Sequence, residues 1–298
     1  AGRGPPHGGE VGTGGPPGGG GLGGRVGGLP DGDGGVGGPG GPVAGIGAAY
    51  LYGPNGGAPI STITGVAAGD QIGSGGIVVL ANGNYLILSP AWHNGGAANA
   101  GAVTWADGDT GVGGLVSPDN SLVGSNANDL VGNGAALVSV LANGNFVLRT
   151  SRWDDGAVQD VGAVTWGNGV TGITGAIGVS NSLIGGHANA EVGSGGVVIA
   201  GTSHYVVSSP LWDNGGAAKA GAATWANGTT GLTGLVSAAN SLVGSNANDN
   251  VGLVTALANG NYVVATTRWD SPANADVGAV TWANGSSGLV GVVSGASS

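Results

Sequence analysis

The side chains best suited to chemistry in this sequence are eight tryptophans, sixteen carboxylates and four histidines. Trp92, Trp153, Trp212 and Trp269 stand in polar stretches beside Asn, Asp and Gly. An indole in such company can stack on the apolar face of a sugar while its neighbours bond the hydroxyls. These four are therefore the candidate ligand-binding residues, against the plainer reading that each anchors a loop. Trp105, Trp166, Trp225 and Trp282 instead close apolar runs of the type Gly-Ala-Val-Thr-Trp and read as packing residues.

The carboxylates offer no clear acid–base pair. Asp107 with Asp109, and Asp154 with Asp155, lie beside Gly or Asn, where a short side chain caps its own turn. Asp129 and Asp249 precede equivalent Val-Gly pairs, with Asp70 close to the same register, and are expected to bond a loop backbone. His7, His93, His187 and His204 each occur once at their position, so no convergent ligand set is expected and they read as exposed loop residues. No Gly-x-Ser-x-Gly elbow or Walker loop is present. No catalytic residue is nominated, and an enzyme is not expected.

The tryptophans report the organisation. Within each set the spacings are 61, 59 and 57 residues. A second phrase, NSLVGSNANDLVG from Asn120, returns from Asn181 and from Asn240. The chain is thus built from an internal repeat of about 60 residues. Each copy contains an apolar run, a turn such as Asn82-Gly83-Asn84, Asn143-Gly144-Asn145 or Asn259-Gly260-Asn261, then a second run, a Trp-bearing loop, the Gly-Ala-Val-Thr-Trp run and a fourth run such as Gly234–Gly244. Asn-Gly between apolar runs is a strong hairpin signal, read as both central residues entering positive φ. The pattern predicts four short antiparallel strands per unit and no long helix.

The expected fold is all-β: a β-propeller-like array of four-stranded antiparallel blades, with four clear units and a degenerate N-terminal one. The divisions are 1–21, a Gly/Pro-rich segment; 22–68, a degenerate or partial repeat; then repeats at 69–129, 130–190, 191–249 and 250–298.

Net charge is −10, with six basic residues among 298. Scattered cations cannot neutralise a run of phosphates, so nucleic acid is not an expected partner. An anionic membrane surface is disfavoured likewise, and no apolar run is long enough for a membrane helix. Cysteine is absent, which removes disulfides and thiolate metal sites. The start, Ala1-Gly2-Arg3-Gly4, has no initiator Met and reads as a processed product, a fragment or an incompletely read sequence.

The ordered motifs resemble FG-GAP repeats, the units of integrin α-chain propellers and of many bacterial surface proteins. The residues that carry the likeness are Ile72-Gly73, Val131-Gly132, Val192-Gly193 and Val251-Gly252 opening a first strand, Ser89-Pro90 and Ser209-Pro210 ending a second, and Gly101 to Trp105 with its copies as the third. The likeness implies a propeller and, in many members, an Asp-rich calcium loop between the first two strands. The Asn-Gly-Asn turns are too short and uncharged for such a loop. Asp31 and Asp33 alone stand in a comparable place, so calcium is at most expected there, and no other cofactor is. The expected function is a non-enzymatic secreted or cell-surface structural or adhesive repeat protein. Its partners would be other protein chains or copies of itself. The alternative is a lectin-like propeller binding glycans or protein through the four loop tryptophans.

Overall fold

The computed structural model describes residues 45–298 and, earlier in the chain, the backbone of one strand, Arg25–Gly28. Asp31, Asp33 and His7 lie outside the described residues. The short runs of Val, Ile, Leu, Tyr and Thr form strands because their β-branched and aromatic side chains suit a pleated surface, and Gly or Asn interrupts them every few residues. The one helical segment among the described residues is a 3-10 turn at Ala135–Leu137, so no described helix is long and apolar enough to cross a membrane.

The N-terminal unit contributes β1 (Arg25–Gly28), β2 (Ala48–Tyr52) and β3 (Ser61–Thr64), paired antiparallel in that order. Unit 1 contains β4 (Gly76–Val79), β5 (Tyr85–Ser89), β6 (Ala102–Ala106), a two-residue β7 (Gly114–Leu115) and β8 (Ser121–Val123). Unit 2 repeats this with β9 (Val138–Val140), β10 (Phe146–Thr150), β11 (Ala163–Gly167), β12 (Gly175–Ala176) and β13 (Ser182–Ile184). Unit 3 has β14 (Gly196–Ala200), β15 (His204–Ser209), β16 (Ala222–Ala226), β17 (Gly234–Leu235) and β18 (Leu242–Val243). Unit 4 has β19 (Leu253–Ala256), β20 (Tyr262–Thr266), β21 (Ala279–Ala283) and β22 (Gly291–Val292).

In units 1 to 3 the first, second, third and last strands form an antiparallel meander. The described residues are all-β, with several sheets and none among them closed into a barrel. One expectation is revised. The fourth run, read as a single strand, splits in two. Its Gly-Leu, Gly-Ala or Gly-Val half leaves the unit and pairs in parallel with the last strand of the preceding one: β7 with β3, β12 with β8, β17 with β13, β22 with β18. Its Ser-Leu-Val half stays home. Two residues suffice because the Pro-Asp-Asn or Ala-Ala-Asn turn between the halves redirects the chain. In that turn Asn120 Oδ1 accepts from Ser117 N at 3.0 Å, and its amide donates to Leu115 O at 2.8 Å.

The hairpins also differ from the expected two-residue form. In the first, only Gly83 enters the left-handed region, at φ 90°. The loop is three residues long, closed by Gly83 N–H to Leu80 O at 3.1 Å and Leu80 N–H to Asn84 O at 2.8 Å. This is a type I turn followed by a glycine bulge. It leaves the Asn82 and Asn84 side chains free to reach out of the unit.

Apolar burial occurs between consecutive sheets. Leu86 and Val103 of unit 1 share a cluster with Phe146, Leu148 and Ala163 of unit 2, and equivalent clusters fill the other three junctions. One face of each sheet looks forward to its successor and the alternate residues look back. Neither face is covered within its own unit, so each unit depends on its neighbours.

Where the third strand starts, backbone meets backbone. Gly101, at φ 77°, bridges in parallel to Val131, and a Cβ there would overlap the Val131 backbone N and O. Next to it Leu130 holds φ 53°, a conformation that a branched apolar residue adopts at a cost. Unit 3 has Asn250 at the same place and the same φ of 53°. Gly101→Ala is expected to destabilise the fold by about 3 kcal/mol or more. Leu130→Asn is expected to stabilise it by about 0.5–1 kcal/mol. Urea melts of the two variants check both signs; equal midpoints would refute the strain argument.

Candidate functional site

The recurring polar side chains gather at the junction between one unit and the next. After each third strand comes an Asp-Gly or Asn-Gly turn: Asp107-Gly108, Asn168-Gly169, Asn227-Gly228, Asn284-Gly285. Asp107 and Asn168 cap their own turns. Asp107 Oδ1 accepts from Asp109 N at 3.0 Å and Thr110 N at 2.9 Å, which hold its carboxyl below the usual carboxylate range. Asn168 Oδ1 accepts from Val170 N at 2.8 Å. The glycine that follows is pressed against the carbonyl of its own unit's hairpin, Gly169 on Gly144, so no side chain fits there.

The Gly169 carbonyl then receives three donors from unit 1: Asn82 Nδ2 at 2.7 Å, Asn84 Nδ2 at 2.8 Å and Trp105 Nε1 at 3.0 Å. The next junction repeats the set. Asn143 Nδ2 and Asn145 Nδ2 each reach Gly228 O at 2.9 Å, and Trp166 Nε1 reaches it at 3.0 Å. The second asparagine has both ends engaged. Asn84 Oδ1 accepts Gly108 N–H at 2.9 Å within unit 1 while its amide donates forward; Asn145 Oδ1 likewise accepts Gly169 N–H at 2.9 Å. A continuous hydrogen-bonded line therefore runs from unit to unit. In unit 3, His204 takes the asparagine's place. Its Nδ1 stands 3.4 Å from Gly228 N, and its ring lies 5.1 Å from that of Trp225. Trp225 Nε1 still donates to Gly285 O at 2.9 Å.

A second stitch uses the buried aspartates, as the sequence suggested. Asp129, 2% exposed, accepts from Ser125 and Asn126 N–H at 2.8 Å through Oδ2 and from Asp154 N–H of the next unit at 3.1 Å through Oδ1. Asp70 does the same toward His93 N at 3.0 Å and Asp249 toward Asp270 N at 3.3 Å. Burial pushes the Asp129 carboxyl above its ordinary range despite these donors. Unit 2 has Ala190 where the aspartate belongs, and there His187 Nε2 accepts Asp213 N–H at 3.0 Å instead. A third stitch lies within each unit, where Thr104 and Ser121 hydroxyls meet at 2.6 Å, with copies at Thr165–Ser182 and Thr224–Ser241 at 2.7 Å.

The histidines correct the expectation of exposed loop residues. His93, His187 and His204 are half-buried: the first two each supply a polar contact at a unit junction, and His204 faces the turn of its own unit. The candidate ligand-binding tryptophans are corrected too. Trp92, Trp153, Trp212 and Trp269 are 4, 2, 6 and 9% exposed and belong to the apolar clusters they share with the preceding unit. Rings so covered present no face on which a sugar can stack. They anchor the loop, because the backbone turns back at this point: Trp92 N–H donates to Ser89 O, and its own O accepts Gly101 N–H. Trp105, Trp166 and Trp225 pack on Gly172, Gly231 and Gly288 of the following unit. Each of those junctions thus holds one indole from each side.

Among the described residues no three His, Cys, Asp or Glu side chains stand together as a metal site would require. A groove of about 210 Å³ runs between units 3 and 4, lined by Trp225, Asn227, Leu232, Asn240, Ser287 and Leu289 among others. Its asparagines are already committed, Asn227 to Thr229 N at 2.8 Å and Asn240 to Ser237 N at 2.9 Å.

These features define an all-β repeat protein whose units are joined by donated strands and by side chains spent on the neighbour's backbone. The DUF5650 family, described as a repeat of unknown function, matches at residues 79–133, 140–194, 200–253 and 256–298. The match covers more than half of the chain, which belongs to this family. A comparison with curated proteins finds no match.

Asp129→Ala is expected to cost about 2–4 kcal/mol, since it strips three backbone donors of their acceptor. Adding Asn126→His, which reproduces the arrangement of His187 with Ala190, is expected to recover about 1 kcal/mol. Denaturant melts of the two single variants and the double variant measure the coupling; strict additivity would show that the histidine does not substitute for the aspartate.

Proposed function

We propose that this chain is a non-enzymatic structural or adhesive repeat protein, secreted or displayed on a bacterial cell surface, that mediates assembly between protein chains. The observation that carries this reading is the use made of the polar side chains. The recurring hairpin Asn, the buried Asp and the strand-three Trp groups hold units together, and the recurring Thr and Ser hydroxyls pair within their own unit, rather than being left convergent around a cavity. A catalytic or small-ligand site needs several unspent polar groups facing one pocket. A surface poor in charge and rich in small polar residues suits a scaffold that displays itself or packs against other chains.

The units read as blades of the FG-GAP kind stacked face to face. Support for that finer reading comes from the meander of units 1 to 3 and from the recurrence of the Gly-Ala-Val/Ala-Thr-Trp phrase as the third strand of each.

Antibody raised against the purified chain is expected to label intact producing cells or their medium, and a glycan array is expected to stay blank. Labelling confined to lysed cells would refute the surface location. A saccharide bound specifically by the folded wild type would overturn the structural reading in favour of a lectin.

A further inference from the structure

Unit 3 departs from the others at one hairpin position. His204 stands where Asn84, Asn145 and Asn261 stand in units 1, 2 and 4. In those three units the asparagine Oδ1 accepts the N–H of the glycine that follows strand three: Gly108 at 2.9 Å, Gly169 at 2.9 Å and Gly285 at 3.1 Å. An amide oxygen holds such an N–H but is too weak a base to take its proton. In unit 3 the Gly228 N–H is directed instead at His204 Nδ1, 3.4 Å away. As the acceptor, this nitrogen carries the lone pair and the ring proton sits on Nε2. The Trp225 ring, with its centroid 5.1 Å from that of the imidazole, keeps the imidazole in place. Among the described Asn-Gly pairs, this is the one whose glycine N–H meets a nitrogen base.

The residue before that glycine is Asn227. In an Asn-Gly pair the side-chain amide is open to attack by the next backbone nitrogen, because glycine puts no Cβ in the way. Asn227 Oδ1 accepts Thr229 N–H at 2.8 Å, closing a ring that contains both Asn227 Cγ and Gly228 N. The same donor draws electrons from Cγ and stabilises the charge that the oxygen gains on addition. Only the oxygen end of Asn227 is held; its Nδ2 has no partner among the described residues. Elsewhere that end is pinned. Asn82 and Asn143 donate theirs to Gly169 O and Gly228 O at 2.7 and 2.9 Å, and Asn94 and Asn214 donate theirs to Gly124 O and Gly244 O at 2.8 Å. Asn227 also lines the groove of about 210 Å³ between units 3 and 4, a path for water and ammonia.

We propose that Asn227-Gly228 is a self-modifying site, at which His204 acts as the base for cyclisation to a succinimide that water opens to aspartate or isoaspartate. His204 Nδ1 takes the Gly228 N–H proton as that nitrogen bonds to Asn227 Cγ. The tetrahedral intermediate then expels Nδ2: the Cγ–Nδ2 bond breaks, the imidazolium returns its proton, and ammonia leaves. Solvent water adds to either carbonyl of the ring. One opening gives aspartate; the other routes the main chain through the side chain and gives isoaspartate. One water is consumed and one ammonia released, with no change of oxidation state. The product lies beside a carbonyl on which a junction depends, since Gly228 O accepts from Asn143, Asn145 and Trp166. Isoaspartate adds a methylene to the main chain one residue before that carbonyl and shifts it against its three donors. The junction of units 2 and 3 is therefore the one that loosens as the protein ages. This site is independent of the assembly reading above.

The full chain, incubated folded near neutral pH and sampled over time, is digested with chymotrypsin and mapped by tandem mass spectrometry that separates asparagine, aspartate and isoaspartate. Asn168 and Asn284 are internal controls, because they occupy the same turn and face Asn145 and Asn261 instead of a histidine. Asn227 is expected to convert about tenfold faster than either, or more, since a positioned base contributes at least that much. His204→Asn restores the residue of the other units and is expected to bring Asn227 down to the control rate. His204→Ala separates the base from mere loss of restraint. It leaves the Gly228 N–H unheld, so a rate that falls identifies the imidazole as the base. Circular dichroism checks that both variants are folded. The urea midpoint of wild type is expected to fall on ageing, and that of His204→Asn to hold. Equal rates at the three turns, or a rate at Asn227 that His204→Ala raises or leaves unchanged, would overturn the proposal.

Discussion

A single backbone carbonyl carries the architecture. Gly169 O accepts two asparagine amides and an indole N–H from the preceding unit, and Gly228 O does the same one unit on. Turn carbonyls that point into a neighbouring sheet cannot be left without donors, because a buried unpaired polar group costs as much as a lost hydrogen bond or more. Here the previous unit provides them, and only when it sits in one register. The bond that satisfies the turn therefore also fixes the spacing of the sheets. Asparagine suits this role because it donates and accepts from one short, stiff side chain. Asn84 and Asn145 bond their own turn with the oxygen and the next turn with the amide, which a carboxylate or an ammonium could not do.

The same constraint accounts for the composition. With 71 glycines and few charges, the chain has little side-chain volume to bury. It compensates with close backbone approaches, such as Gly101 on Val131 and Gly169 on Gly144, that admit no Cβ. Carboxylates that are buried, Asp70, Asp129 and Asp249, sit at 0, 2 and 1% exposure and accept backbone N–H groups on both sides of a junction. Desolvation of an isolated charge would be prohibitive; three converging donors offset much of it. The donated Gly-Leu, Gly-Ala and Gly-Val strands answer a further liability. They cover the outer edge of the preceding sheet, which would otherwise offer unpaired backbone groups to any passing strand.

Much of this was legible from the tryptophan spacing. Two indole positions recurring at 61, 59 and 57 residues gave the unit, and the Gly-Ala-Val-Thr-Trp run was correctly placed as a packing strand. The buried aspartates were also visible as structural acceptors. The split of the fourth run was not, because a two-residue parallel strand has no periodicity of its own. The loop tryptophans misled for a related reason. Asn, Asp and Gly around Trp92 or Trp153 signal an exposed loop, yet those polar neighbours bond backbone while the ring turns inward. The role of His187 did leave a trace. Of the three phrases, the one that lacks the aspartate, HANAEVG, is the one with a histidine three residues earlier. A histidine counted as a solitary exception hid a pairwise replacement.

Direction is the last consequence of these contacts. In the junctions from unit 1 to 2 and from unit 2 to 3 the preceding unit extends its hairpin asparagines and a strand-three indole forward, and the following unit extends a loop indole and a two-residue strand back. The two surfaces are different, so no junction has a twofold axis, and the array has a polarity set by the chain. An isologous pair through one such surface would bring donors to donors: the asparagine amides and indole N–H groups of one copy would meet those of the other with no carbonyl between them. A surface of the opposite kind satisfies the same groups. Hydrogen-bond chemistry at one glycine carbonyl thus decides how the sheets stack, and also that anything extending the stack must arrive in the same sense.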